Sequence, residues 1–170
     1  MFDDNDIKIF GGKISAEPET QIVIPKEKIE KAKKIGAEVA KIYIENIKSQ
    51  TDKSESNSEL LMQRLLLLSF TATISFEQYI ENDTLVGIAQ KSFLDYIKKN
   101  SSEIYTASSD TGAFSFYYLA FRRENDIERR IGQTFAMLCS HDGDPIYQEL
   151  GEALYCWFSS TVKKIIENNL

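Results

Sequence analysis

The stretch 60–80 is the most apolar part of the 170-residue chain, and the other segments must cover it. It contains neither Gly nor Pro, and residues 59–68 are mostly strong helix formers. Residues 68–76, however, alternate apolar with small polar side chains, which is typical of a half-buried strand. A strand of that length needs a partner, and the only candidates, residues 7–10 and 21–24, are short. We therefore predict a central buried helix over 60–80, with a strand over 68–76 as the alternative.

Two signals mark the start of this helix. Residues 49–58 form a polar stretch of low complexity, which predicts an exposed loop. Ser56 and Glu59 then stand at the spacing of a capping box, in which each side chain satisfies a free backbone N–H. The central helix is therefore expected to begin directly after Ser56.

Apolar residues at three- and four-residue spacing indicate further helices after Pro25, after residues 82–84, and over two C-terminal segments. Only three prolines and eight glycines occur, which favours helices with short connections over a many-turned β architecture. A chain of this length can bury one sizeable core. The sequence thus predicts an all-α protein, a compact single-domain bundle of about five long helices plus short helical turns over residues 25–170.

Two details of the C-terminal helices are expected from their sequences. Gly132 followed by Ala136 presents a small-residue face that lets a neighbouring helix approach closely. Asp144 followed by Pro145 supplies a strong N-cap and an apt first helical residue.

Residues 1–24 differ from the rest of the chain. Small groups of apolar side chains are separated by Gly11-Gly12 and by residues 16–19, without a helical period. Disordered tails rarely hold this many branched apolar residues. We therefore predict an extended N-terminal arm that packs on the helical domain or on another subunit.

The formal net charge of −6 disfavours nucleic acid as a partner, because phosphates are repelled at long range. The basic stretches 26–34 and 122–130 are interleaved with acidic residues, and we interpret them as solvated helix faces. No secretory signal is evident. The longest charge-free run of the central stretch, residues 65–76, has 12 residues, whereas a bilayer span takes about 20. These features predict a cytoplasmic protein with no nucleic-acid and no membrane partner.

Two cysteines, Cys139 and Cys156, are too few for a disulfide scaffold. On antiparallel helices joined near Gly143 they are staggered by about 15 Å, whereas a disulfide needs Cα atoms within about 7 Å. We therefore predict two buried free thiols.

The chain has a single histidine, His141, which excludes sites that need several histidines. It lies in the segment 139–144, Cys-Ser-His-Asp-Gly-Asp, the only local cluster with a nucleophile, a base and carboxylates. Cys139, His141 and Asp142 are therefore the candidate catalytic residues. The structural interpretation is favoured, in which Gly143 forms a turn between two helices and the thiol is buried.

Metal binding has one sequence signal, the Glu-x-x-Glu spacing that places two carboxylates on one helix face. Glu149 and Glu152 show this spacing, as do Glu27 and Glu30. All-α hydrolases that hold Mg²⁺ in this way carry a second acidic pair on another helix, and no convincing second pair accompanies either one. Glu149 and Glu152 are thus the candidate metal ligands. No phosphate-binding or dinucleotide-binding fingerprint occurs, and no cofactor is predicted.

Residues 113–121 are aromatic on most sides of a predicted helix, which indicates burial between helices, with an aromatic ligand pocket as the alternative. Two functional hypotheses follow. The leading one is a non-enzymatic protein-interaction or self-associating module, whose ligand is a protein partner or a second copy. The other is a small-molecule-binding protein or metal-dependent hydrolase, with a pocket between the aromatic helix and the two C-terminal helices.

Overall fold

A computed structural model describes residues 23–52 and 57–170, which form seven α-helices and no strand. The all-α prediction is confirmed for this part of the chain. Five of the helices are long and two are short. In chain order they are α1 (Lys26–Thr51), α2 (Ser58–Tyr79), α3 (Asp83–Asn100), α4 (Ser102–Ser108), α5 (Gly112–Phe121), α6 (Ile127–Leu138) and α7 (Pro145–Asn169).

Helix α2 lies at the centre of the fold and contacts every other helix. Residues 68–76 are helical, so the strand alternative is wrong. Their small polar side chains fit a buried helix in part because the two threonine hydroxyls bond to the helix itself. Thr71 donates to the Leu67 carbonyl oxygen at 2.8 Å. Thr73 donates to the Ser69 carbonyl oxygen at 3.1 Å.

The N-terminal end of α2 is capped by Asn57, whose side chain accepts a hydrogen bond from the Leu60 N–H at 3.1 Å. Asn is as good an N-cap as Ser, because its side-chain oxygen reaches the same free backbone donors. The predicted cap, Ser56, lies outside the described residues.

The loop predicted over residues 49–58 is wrong at both ends. Helix α1 continues to Thr51, whose hydroxyl donates to the Ile47 carbonyl oxygen at 3.0 Å, and α2 already includes Ser58. Hydroxyl side chains can end a helix in this way by bonding to its last turn. Residues 53–56 lie outside the described part of the chain.

Helices α1 and α3 pack with their backbones in close contact at Gly36. A Cβ at this position would collide with the Ala89 carbonyl oxygen, so only glycine allows the approach. Beside it, the Ser92 hydroxyl donates to the Lys33 carbonyl oxygen at 2.6 Å. The predicted apolar stripe of α1 is buried here.

Helices α6 and α7 approach each other in the same manner. A Cβ on Gly132 would collide with the Gln148 carbonyl oxygen, which confirms the predicted close approach at this glycine. One on Gly151 would lie 2.5 Å from the Phe135 Cβ. Two glycines, one on each helix, therefore allow α6 and α7 to pack closely.

Most of the predicted N-terminal arm, residues 1–22, lies outside the described residues. The first described residue, Val23, is 84% exposed. Ile24, the next residue, packs against the core.

Both cysteines are free, as predicted, but only Cys139 is buried. The prediction of burial is wrong for Cys156, which is exposed on α7. The buried stripe of α7 includes Leu154 and Phe158. Cys156 is two positions from each of these residues. It therefore lies on the opposite side of α7, because successive residues of a helix are rotated by about 100°.

Among the described helices, only α2 is long and apolar enough to cross a membrane, by length and composition alone. Of its most apolar window, 61% is buried inside the fold. A buried core helix passes the same test, so this finding is weak evidence for a membrane span.

Candidate functional site

The segment 139–144 terminates α6. Ser140 adopts a left-handed conformation with φ 61°, and its N–H donates to the Met137 carbonyl oxygen at 3.0 Å. The His141 N–H donates to the Ala136 carbonyl oxygen at 2.9 Å. These two bonds are those of a Schellman motif, which satisfies the last free carbonyls of a helix. The predicted turn at Gly143 is present, with φ 79°.

Cys139 is the C-cap residue of α6, and its side chain is buried. Burial raises the pKa of the Cys139 thiol to about 12, and the negative charge of Glu59 adds to the effect. The thiolate is the nucleophilic form of cysteine, so this thiol is inert at neutral pH.

His141 is engaged by the start of α7 instead of by the thiol. Its ring stacks on Tyr147, with centroids 3.9 Å apart and planes 7° apart, and its Nδ1 lies 3.7 Å from an Asp144 carboxylate oxygen. Asp144 also accepts the Ile146 N–H at 2.9 Å, as the predicted N-cap. Asp142 is exposed, and no hydrogen bond among the described residues joins it or Cys139 to the imidazole. This arrangement secures two helix ends.

The candidate metal ligands Glu149 and Glu152 differ in exposure, although both lie on one face of α7. Glu149 is exposed, whereas Glu152 is half-buried where α7 packs on Gly132. Glu27 pairs with Lys31 at 2.9 Å. In residues 23–52 and 57–170, no three or more His, Cys, Asp or Glu side chains form a group that could hold a metal ion.

A hollow of about 320 Å³ lies between α2, α6 and α7 and contains Cys156. Burial, followed by the charges of Glu128 and Glu152, raises the pKa of this thiol. Across the hollow, the Lys163 ammonium lies 5.5 Å from the centre of the Tyr79 ring. The Cys156 thiol is therefore not activated for nucleophilic attack.

A second hollow lies between α5 and α6, in part where the sequence predicts a pocket. We call it the α5–α6 groove. Its volume is about 240 Å³, and α7, the other C-terminal helix, does not line it. Its lining residues are Phe116, Leu119, Ala120, Arg123, Arg130, Gln133, Thr134 and Met137.

The groove exists because α5 buries only one of its faces. Tyr117 stacks on Phe70 of α2, with ring centroids 5.3 Å apart, and is fully buried. The opposite face leaves Phe116 47% and Leu119 64% exposed, and Met137 of α6 is 40% exposed beside them. The predicted burial of the aromatic segment between helices therefore holds for Tyr117 and Ala120 but is wrong for this face.

Positive charge is concentrated at this groove. Four of the chain's five arginines occur at positions 122, 123, 129 and 130, and two of them line the groove. Arg130 Nε donates to the Asn125 carbonyl oxygen at 2.8 Å, which fixes that side chain. No carboxylate among the described residues lines the groove. Among the described residues, none of the four arginines has an ion-pair partner within 4.0 Å.

Sequence reasoning missed this charge because acidic residues interleave with the arginines along the chain. Folding turns one of these acidic residues away: Glu128 faces the hollow that contains Cys156, on the other side of α6 from Arg130. The signal that could have revealed the groove is the helical register of residues 127–138, which places positions 130, 133, 134 and 137 on one face.

Comparison with protein-family models, with curated proteins and with solved structures found no match for this chain. The chemistry of the groove itself is therefore the basis for assigning a function.

Proposed function

We propose that this protein is a non-enzymatic interaction module that binds a peptide segment in the α5–α6 groove. The segment carries a large apolar side chain with carboxylates beside it. The observation that carries the proposal is the exposure of Phe116, Leu119 and Met137 directly beside Arg123 and Arg130, which have no ion-pair partner in the described part of the chain.

The floor of the groove provides affinity through apolar burial. Each Å² of apolar surface removed from water contributes about 25 cal/mol. Aromatic residues, Met and Arg are enriched at the centres of protein interfaces, and all three types meet here. Met137 adds adaptability, because its flexible thioether can repack around different side chains.

The rim of the groove provides specificity for carboxylates. A guanidinium forms paired hydrogen bonds with a carboxylate in a fixed geometry. Arg130 is held by its bond to the Asn125 carbonyl, so less entropy is lost when it binds. Arg123 is exposed at the opposite wall.

The size of the groove favours a peptide over a small molecule. Small-molecule sites usually occupy about 300–1,000 Å³ and enclose most of the ligand. The α5–α6 groove has about 240 Å³, which suits one or two peptide side chains. The formal net charge of −6 disfavours nucleic acid at this site despite the arginines.

The alternative function, a small-molecule-binding protein or a metal-dependent hydrolase, has less support. Cys139 holds its proton at neutral pH, and His141 is stacked on Tyr147. Two free cysteines accord with a reducing compartment, which supports a cytoplasmic location.

Selection from a displayed library of random twelve-residue peptides tests the proposal. The full chain serves as bait, and selected peptides are then measured against the variants Leu119→Asp and Arg123→Glu/Arg130→Glu. We expect the peptides to carry Asp or Glu near an aromatic or aliphatic residue. Their affinity should fall at least tenfold for both variants.

The matched control is Leu94→Asp, which places the same charge on an exposed leucine of α3, away from the groove. This variant should bind the peptides as tightly as the original chain. No enrichment, or equal binding by Leu119→Asp, would refute the proposal. Tight binding of a single-stranded oligonucleotide that requires Arg123 and Arg130 would also refute it.

A further inference from the structure

The chain itself contains a segment with the chemistry that the groove selects. Residues 1–10 read Met-Phe-Asp-Asp-Asn-Asp-Ile-Lys-Ile-Phe. Three aspartates stand between a phenylalanine on one side and two isoleucines and a second phenylalanine on the other. We call residues 1–10 the acidic segment.

We propose that the acidic segment binds the α5–α6 groove of its own chain and so competes with external peptides. This inference rests on the function proposed above and adds the regulation of that site. Two observations carry it: the charge complementarity between segment and groove, and the place where the described chain begins.

Charge complementarity is direct. The segment has three carboxylates and one lysine, while the groove has two arginines and no carboxylate in its lining. Its apolar residues match the exposed floor formed by Phe116, Leu119 and Met137. In a chain with a formal net charge of −6, such a concentration of arginines that lack an ion pair within residues 23–52 and 57–170 is a local exception.

Two neighbouring hollows relate the start of the described chain to the groove. Lys28, in the first turn of α1, lines a hollow with Tyr79. Tyr79 also lines the neighbouring hollow, together with Ile127 in the first turn of α6. Arg130 follows one turn later on α6. The groove lies on the other side of α6 from this hollow, so the two places are separated by roughly three helix diameters, or about 30 Å.

Residues 11–22 connect the acidic segment to Val23. Twelve residues span up to about 40 Å when fully extended, so this connection is long enough to reach the groove. A short tether also raises the effective concentration of the segment to the millimolar range. Binding within one chain is thereby favoured over binding between copies at ordinary protein concentrations.

A labelled synthetic peptide of residues 1–10 is the probe, and its affinity is measured by fluorescence anisotropy. The full chain is compared with a full-length variant in which the three aspartates of the acidic segment are replaced by lysines, Asp3→Lys/Asp4→Lys/Asp6→Lys. We expect the variant to bind the probe at least tenfold more tightly, because its own segment no longer competes. Adding Leu119→Asp to the variant should abolish that binding.

The charge-matched control is Glu45→Lys/Glu103→Lys/Glu149→Lys, which reverses three exposed carboxylates outside the groove. It should bind the probe as weakly as the original chain. If the original chain and the segment variant bind the probe equally, or neither binds it, the competition is refuted. Peptides selected from the library still test the proposed function separately in either case.

Sedimentation velocity distinguishes binding within one chain from binding between two. We expect the original chain to sediment as a monomer at all concentrations examined. A dimer that dissociates when the three aspartates are reversed would refute the intramolecular inference. It would leave the proposed function in place, with a second copy as the partner.

Discussion

The Tyr43 hydroxyl donates a hydrogen bond to the Leu65 carbonyl oxygen at 3.2 Å and so joins the middle of α1 to α2. Both residues belong to the buried core. Tyr43 also packs its ring against Phe93 and Phe158, with centroids 5.5 and 6.4 Å away. This one side chain of α1 thus contacts three other helices, α3 and α7 through its ring and α2 through its hydroxyl.

Tyr43→Phe is expected to lower the free energy of unfolding by about 1 kcal/mol, the usual net value of one buried hydrogen bond. The ring contacts are retained, so only the loss of the hydroxyl is measured. Urea unfolding followed by circular dichroism provides the measurement. A variant as stable as the original chain would show that the bond to Leu65 contributes nothing.

Tyr117→Phe is expected to raise the free energy of unfolding, which is the opposite of the effect of Tyr43→Phe. The Tyr117 hydroxyl is buried and has no hydrogen-bond partner among the described residues. Removing it relieves the cost of burying an unsatisfied polar group, which is about 1–3 kcal/mol, and keeps the stacking on Phe70. The same unfolding experiment should show equal or greater stability. A loss similar to that of Tyr43→Phe would contradict this account.

Gly36→Ala is expected to be strongly destabilising, by about 3 kcal/mol or more, because its Cβ would collide with the backbone of α3 at Ala89. The control is Gly87→Ala on α3, where a Cβ meets nothing within 4 Å. That substitution should stabilise the protein by up to about 1 kcal/mol through helix propensity. Thermal unfolding of both variants checks the pair. Equal effects would show that the packing of α1 on α3 adjusts freely.

The fold was largely predictable because its helices are specified locally. Asp144 and Pro145 start α7 in the predicted way, and Gly132 permits the predicted close approach of α6. The alternation over residues 68–76 was ambiguous, since hydroxyl side chains suit a strand and also bond backward within a helix. The distinction depends on burial on all sides, which is a property of the whole fold.

The groove was less predictable because exposure of the aromatic helix is decided by distant residues. Phe116 and Tyr117 are adjacent and similar in hydrophobicity, yet one is half-exposed and the other is fully buried. The difference follows from the stacking of Tyr117 on Phe70, which lies far away in sequence. No local pattern in a segment that is aromatic on most sides can identify the buried face.

Ser140→Gly is expected to stabilise the protein by about 0.5–1 kcal/mol, since Ser140 has φ 61° in the cap of α6 and glycine adopts this conformation without strain. The exposed hydrogen bond to Glu59, at 3.1 Å, is lost but offsets little of the gain. Gly143→Ala is the reverse control, because Gly143 has φ 79°. It should cost about 1 kcal/mol. Thermal unfolding that ranks the two variants in the opposite order would contradict the assignment of the cap.

The two cysteines are expected to differ sharply in reactivity. With a pKa of about 12, the Cys139 thiol has roughly a thousandfold less thiolate at pH 8 than an ordinary cysteine with a pKa of about 8.5. Cys156 is exposed and should react first with a disulfide reagent. In native conditions, one thiol should react rapidly in the original chain and one in the Cys139→Ser variant. In the Cys156→Ser variant, no thiol should react until denaturant is added. Rapid reaction of Cys156→Ser in the folded state would show that Cys139 is accessible as thiolate, and would return segment 139–144 to consideration as a nucleophilic site.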